Sequence, residues 1–156
     1  MIDLQLERRI AAAPEEVFAR LSDIDGHNAW MPKKGSILRR TRQTSEGQPG
    51  LGTTFIDETN LGSTPGEIVE FDPPYKLTYH WWDSSKSGRV KTEGWPGYAL
   101  EPAEPDGTRL RHHARMHTYG VYRLATPILR WIAIRERTAT VDALEASFKP
   151  NTQTPP

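Results

Sequence analysis

The chain closes on a single long amphipathic segment, and nearly everything before it reads as strand. Leu124, Ile128, Trp131, Ile132, Val141, Leu144 and Phe148 recur at helical spacing and form one apolar stripe. A sheet needs its apolar face covered, and this segment offers only one long helix to cover it. An α-helix with its side chains is about 10–12 Å across, so a curved sheet wrapped around it leaves room between the two. That room is either filled with side chains or left as a pocket.

The strands announce themselves by period and punctuation. Ile2, Leu4, Leu6 and Ile10 alternate with Asp3, Gln5, Glu7 and Arg9, the pattern of a half-buried strand. Pro14 followed by Glu15 and Glu16 opens a helix, with Val17, Phe18 and Leu21 as its apolar face. Residues 23–31 read as a second short helix or turn, stopped by Pro32. Six strands follow, over 36–43, 53–60, 67–71, 75–82, 89–100 and 108–118. Gly50-Leu51-Gly52, Thr64-Pro65-Gly66, Asp72-Pro73-Pro74 and Glu104-Pro105-Asp106-Gly107 mark turns between them. The last helix is expected to begin near Val121, or at Pro127 with Thr126 as its N-cap, and to run to about Phe148. The fold class is therefore α+β, with about seven antiparallel strands, two short helices and one long one.

The chain has 156 residues, which fits one domain, expected over 1–148. A chain of this size buries about 70% of its unfolded surface and needs no metal or disulfide to fold. It has no cysteine, so disulfides, thiol chemistry and cysteine-based metal sites are excluded. Twenty basic residues balance twenty acidic ones, which argues against a nucleic-acid partner. The alternating first ten residues lack the basic start and apolar run of a signal peptide. No stretch approaches the roughly 20 apolar residues that span a bilayer, so no stable membrane insertion is expected. A cytoplasmic protein follows as the expectation, and residues 149–156 read as a disordered tail.

The order of elements and their punctuation resembles the helix-grip fold, the START-related, birch-pollen-allergen-like superfamily (SRPBCC), and within it the polyketide cyclase/dehydrase group. The matching residues are Ala13-Pro14-Glu15-Glu16-Val17-Phe18 with Leu21, Asp23 and Trp30, then Gly50-Leu51-Gly52. The stretch from Gly66 through Pro73-Pro74-Tyr75 to Leu77 follows, then Tyr98-Ala99-Leu100-Glu101-Pro102, Gly107-Thr108-Arg109-Leu110 and the helix start Pro127-Ile128-Leu129. The resemblance spans residues 2–148. It implies a deep pocket between sheet and C-terminal helix that takes lipophilic or aromatic molecules. It implies no catalytic residue, because the superfamily holds carriers, receptors, cyclases and chaperone activators alike.

Strand geometry nominates the pocket wall. Tyr75, Leu77, Tyr79 and Trp81 share one face of their strand, and Leu110, His112, Ala114 and Met116 share one face of theirs. Trp95 and Tyr98 lie between, on a strand that Pro96-Gly97 kinks. The candidate lining is Phe55, Tyr79, Trp81, Trp95 and Tyr98, with His112, Met116 and Trp131. Any one of these aromatics is equally at home in an ordinary core.

Polar residues on inward positions sharpen the reading. Arg8 interrupts the apolar face of the first strand, and Arg135 follows Trp131 by one helical turn. A buried charge needs a partner. Each arginine either anchors a polar ligand group or reaches the rim to pair with Asp57, Glu58 or Glu93. His112 is either a hydrogen-bonded core histidine or a general base. Trp30 is either a gate at the pocket mouth or a packing aromatic. His113 and His117 point away from His112 and lie among Arg109, Arg111 and Arg115, so no metal site is expected. Lys33, Lys34, Arg39, Arg40 and Arg42 form a basic cluster that either meets an anionic surface or is a solvated strand discouraging edge pairing.

The expected function is binding of a lipophilic or aromatic small molecule, with transport or sequestration as its use. No cofactor is expected, and the protein is a monomer or a homodimer. Two rivals stand beside it. One is a polyketide cyclase, aromatase or dehydratase using a polar residue in the cavity. The other is a protein-interaction module of the chaperone-activator type.

Overall fold

A computed structural model describes residues 1–150; the remainder of the expected tail, residues 151–156, lies outside the described residues. Strand β1 (Ile2–Ile10) leads into α1 (Pro14–Ser22) and the single turn α2 (His27–Trp30). Six strands follow: β2 (Leu38–Gln43), β3 (Thr54–Thr59), β4 (Gly62–Asp72), β5 (Lys76–Ser84), β6 (Val90–Ala103) and β7 (Gly107–Thr118). A 3-10 turn (Gly120–Ala125) joins β7 to α3 (Thr126–Ser147). The strands form one open antiparallel sheet in the order β1-β7-β6-β5-β4-β3-β2. The meander β2 to β7 closes on β1, with Ile2 opposite Met116 and Ile10 opposite Thr108. Long helix against curved sheet is the helix-grip arrangement.

Two local details differ from the sequence expectation. β4 starts at Gly62, five residues before the expected 67, because the turn lies at Asn60-Leu61 and not at Thr64-Pro65-Gly66. Gly62 takes φ 124°, which favours glycine there. Pro65 is tolerated inside the strand because the β5 ladder begins only at Gly66, so β4 has one neighbour at that point. The N-cap of α3 is Ala125, not Thr126, whose hydroxyl instead donates to the Arg123 carbonyl at 2.7 Å.

The larger correction concerns the stripe. Leu124, Ile128 and Trp131 do not face the sheet; they are 87%, 65% and 60% exposed. The inward face of α3 is Leu129, Ile132, Ala133, Glu136 and Arg137, continued by Thr140, Val141 and Leu144. Of the expected stripe, Ile132 faces the cavity, Val141 and Leu144 are fully buried and Phe148 is half-buried.

The two halves of α3 do different work. The C-terminal half packs into a solid core with Ile10, Val17, Phe18, Leu21, Leu77 and Leu110. Arg20 of α1 pins its end, donating to the Ser147 carbonyl and hydroxyl at 2.9 Å each and lying over the Phe148 ring. The N-terminal half is held at the opposite edge by Glu136, which accepts from the Ser36 hydroxyl (2.6 Å) and the Ile37 N–H (3.1 Å). Anchored at its midpoint and at its C-terminal end, the helix bridges the middle of the sheet without filling the space beneath.

Candidate ligand-binding site

That space is a cavity of about 440 Å³, within the range of small-molecule sites. Phe55 of β3, Tyr79 and Trp81 of β5, Tyr98 of β6 and Met116 of β7 make its floor. Leu129, Ile132 and Ala133 of α3 make its roof. Glycines keep the floor low. A Cβ on Gly94, opposite Trp81 in the β5–β6 register, would meet that indole at 2.7 Å. A Cβ on Gly66 would strike the Phe55 ring and the His80 carbonyl, the latter at 2.6 Å. The rings therefore lie down on bare backbone and leave volume above them.

One end of the cavity is polar. Asp57 lines it from β3, with Thr41 opposite on β2. Burial pushes the Asp57 carboxyl up, opposed by the Thr41 hydroxyl and the Arg137 guanidinium. Arg137 reaches in from α3 on the side of Tyr98. Burial pushes the Tyr98 phenol up, and Arg137 opposes this too. Among the described residues Arg137 forms no ion pair within 4.0 Å, and its bond to the Thr140 hydroxyl is long, 3.5 Å. A cation half-buried among apolar side chains without a carboxylate in contact is costly unless something polar meets it. Asp57 and Arg137 thus border the same space without touching.

Beside them, His27 also lines the cavity, and its Nε2 hydrogen-bonds the Leu21 carbonyl at 2.7 Å. Tyr79 donates to the same carbonyl at 2.6 Å, closing the C-terminus of α1. Burial lowers the His27 pKa to about 4, so its ring is neutral near pH 7.

The sequence-nominated residues divide. Phe55, Tyr79, Trp81, Tyr98 and Met116 border the cavity. Trp95 reaches it only at the edge: its ring stacks on His80 at 4.7 Å and meets His117 edge-on. His80 alternates with Tyr79 and Trp81, so that stack lies on the sheet's opposite face. His112 is not at the cavity wall. It lies against Tyr98, ring centroids 4.5 Å apart, with its Nδ1 bonded to the Gly97 carbonyl at 2.9 Å. A carbonyl partner requires Nδ1 to carry the proton, which leaves Nε2 an acceptor, buried and without a partner. Burial and the nearby Arg137 lower the His112 pKa to about 3. A ring so covered and so weakly basic is placed as a core histidine.

Trp131 is outside the cavity, on the outer face of α3 with Arg135 over its ring at 5.2 Å. Arg135 donates to the Gly35 carbonyl. Arg8 does face inward, half-buried, but meets Asp142 of α3 at 3.3 Å rather than the cavity. Trp30 packs edge-on against His27, centroids 5.4 Å apart, behind the wall rather than across the mouth.

The polar anchor that sequence reasoning missed is Arg137, with Asp57 facing it. A signal for it existed. Stepping back by fours from Val141 gives Arg137, Ala133 and Leu129, and from Leu144 gives Thr140, Glu136 and Ile132. Ile132 of the expected stripe lies on this face, but Ala133, Glu136, Arg137 and Thr140 interrupt its apolar pattern.

No helix of the described residues is long and apolar enough to cross a membrane. A search of curated proteins finds no match. Among solved structures, an aromatase/cyclase from Streptomyces sp. R1128 superposes with a TM-score of 0.77 at 12% identity, covering 97% of this chain and 96% of that one. A START superfamily protein from Mycobacterium smegmatis matches with 0.66 at 15% identity, covering 94% and 96%. An AHSA1 protein from Silicibacter pomeroyi matches with 0.63 at 22% identity, covering 93% and 96%. Identities this low speak to the fold alone. The family model described as "Polyketide cyclase / dehydrase and lipid transport" matches residues 1–149, nearly the whole chain, and the chain belongs to that family.

Proposed function

We propose that the protein binds one lipophilic or aromatic small molecule under α3, for transport or sequestration, and that this molecule carries a single acidic or strongly accepting group. The observation behind this is the cavity of about 440 Å³ with aromatic walls and one unpaired cation, Arg137, at its polar end. The apolar body of the ligand lies over Phe55, Trp81 and Met116. Its carboxylate, enolate or carbonyl oxygen meets Arg137 and the Tyr98 hydroxyl, where a guanidinium's fixed donors give direction. A polyketide-like or isoprenoid acid has this chemistry.

The test is a titration with an environment-sensitive apolar fluorophore bearing a carboxylate. Saturable one-to-one binding that Ala133→Trp abolishes supports the proposal, since an indole there occupies the cavity. Absence of saturable binding by the folded wild type rejects it.

One observation favours a second reading, in which the cavity does chemistry of the cyclase or dehydratase kind. Asp57, a carboxyl raised by burial, faces the same space as Arg137. A base of raised pKa opposite a fixed cation suits proton abstraction next to a carbonyl, with Arg137 holding the enolate. Asp57→Asn that keeps ligand affinity but loses turnover of a poly-β-keto substrate would establish it. The interaction-module reading needs an exposed apolar patch and no ligand affinity. Such a patch exists on α3, but so does the cavity beneath it, which puts ligand binding first.

A further inference from the structure

The outward stripe of the 3-10 turn and α3 has no partner among the described residues. Leu124, Ile128 and Trp131 follow one another at four and three residues, and Val121 extends the row. They are between 60% and 87% exposed. A helix apolar on both faces is buried on both, so this face expects company. The same segment forms the cavity wall with its other side, through Tyr122, Ala125 and Leu129. Leu61, 70% exposed at the β3–β4 turn, also belongs to both the surface and the cavity rim.

Charge identifies what covers it. The chain is neutral as a whole, yet residues 26–45 and 107–135 contain no Asp or Glu. Arg123 and Arg130 flank the stripe, both exposed and without an ion pair among the described residues. Arg135 spans from the Trp131 ring to the Gly35 carbonyl and so joins the stripe to the loop carrying Lys33 and Lys34. Its only carboxylate neighbour among the described residues is Glu136, at 4.0 Å, which is already bonded to Ser36 and Ile37. Beyond that loop lies a second groove lined by Lys33, Arg39 and Arg40, sharing Met31 and Leu38 with the main cavity. A second copy docked stripe to stripe would bring two basic rims together. An anionic bilayer would satisfy both the apolar row and the rim, as amphipathic helices with basic flanks do.

We propose that this face docks on an anionic lipid bilayer and sets the cavity rim against it, so that an apolar ligand passes between membrane and cavity without crossing water. The stripe enters the headgroup–acyl boundary, Trp131 sits at the interface as tryptophans do, and the basic groove takes lipid phosphates. The docking itself does not depend on the proposed ligand binding.

The experiment is vesicle co-sedimentation of the full chain with phosphatidylcholine alone and with phosphatidylglycerol added, over a salt series. Binding to the anionic vesicles only, weakened by salt, is expected. Arg123→Glu and Arg130→Glu each remove at least the fivefold or so that one basic residue contributes at such a surface. Leu124→Asp/Ile128→Asp abolishes sedimentation. These side chains are exposed, so the variants fold, and the apolar fluorophore titration checks that separately. A blue shift of tryptophan emission on anionic vesicles disappears in Trp131→Phe, which still sediments. Failure of the wild type to bind anionic vesicles overturns the proposal. So does a solution dimer that the Leu124→Asp/Ile128→Asp variant dissolves, since a second copy then covers the stripe. Loss of fluorophore binding with vesicle binding intact rejects the ligand-binding proposal and leaves the docking surface standing.

Discussion

Replacing Arg137 by methionine separates the needs of the site from the needs of the fold. Arg137 is half-buried at the cavity's polar end, has no carboxylate within 4.0 Å among the described residues, and makes one long bond, 3.5 Å, to Thr140. Thr140 keeps its own shorter bond to the Glu136 carbonyl, 2.8 Å, without it. Removing an unpaired charge from apolar surroundings returns its desolvation cost, while methionine keeps the bulk of the arginine stem. Stability should therefore hold or rise by about 1 kcal/mol. Affinity should move the other way. A hydrogen bond to a charged group contributes about 1.5–3 kcal/mol, so a carboxylate ligand should bind about 10- to 150-fold more weakly. The methyl ester of the same ligand should lose far less. The assay is denaturant unfolding beside calorimetric titration of acid and ester. If Arg137→Met unfolds several kcal/mol more easily, the guanidinium is a structural post. If it loses nothing for the acid relative to the ester, Arg137 is not the anchor.

Three further outcomes follow from the same geometry. His27 and His112 are buried neutral, with pKa values lowered to about 4 and about 3. The unfolded chain then binds protons that the fold refuses, so stability falls as pH drops from about 6.5 toward those values, by up to about 1.4 kcal/mol per pH unit for each ring. His112→Asn should remove one proton from that slope in denaturation midpoints measured between pH 4 and 7, and an unchanged slope contradicts the assignment. Gly66→Ala should cost about 1–3 kcal/mol, because the added methyl meets the fixed His80 carbonyl at 2.6 Å; thermal unfolding unchanged from wild type would show that the strands yield. Tyr79→Phe should cost only about 1 kcal/mol, since His27 still donates to the Leu21 carbonyl; a loss of several would mean that the hydroxyl holds α1 in place.

The fold could be read from the sequence because its signals are local. Period two in β1, Pro14 at a helix start and the glycine and proline turns each act within a few residues, and their order is the topology. Where local signals competed, the reading slipped. Pro65-Gly66 looks like a turn, yet a proline with a neighbour on one side only sits comfortably in β4. The site was half readable. Alternation on β5 puts Tyr79 and Trp81 on one face, and both border the cavity. Helix α3 defeated the pattern for a physical reason: its apolar row Leu124, Ile128, Trp131 is the surface, and its cavity face carries Glu136 and Arg137. Apolar periodicity finds the face that avoids water, but a binding cavity and an exposed docking face both break the link between apolar and buried. Arg8 does interrupt the inward face of β1, but only the three-dimensional register shows that Asp142 meets it, and Arg135 lies outside with Trp131, bonded to the Gly35 carbonyl.

The central claim is that a ligand lies over Trp81, beneath α3. The most direct measurement is quenching of tryptophan emission by a brominated aromatic acid, in wild type and in Trp81→Phe and Trp131→Phe variants, without lipid present. Bromine quenches an indole only near contact. The account predicts saturable quenching that Trp81→Phe largely removes and Trp131→Phe leaves in place. Quenching that survives in Trp81→Phe and vanishes in Trp131→Phe would put the ligand on the outside of the helix and contradict it.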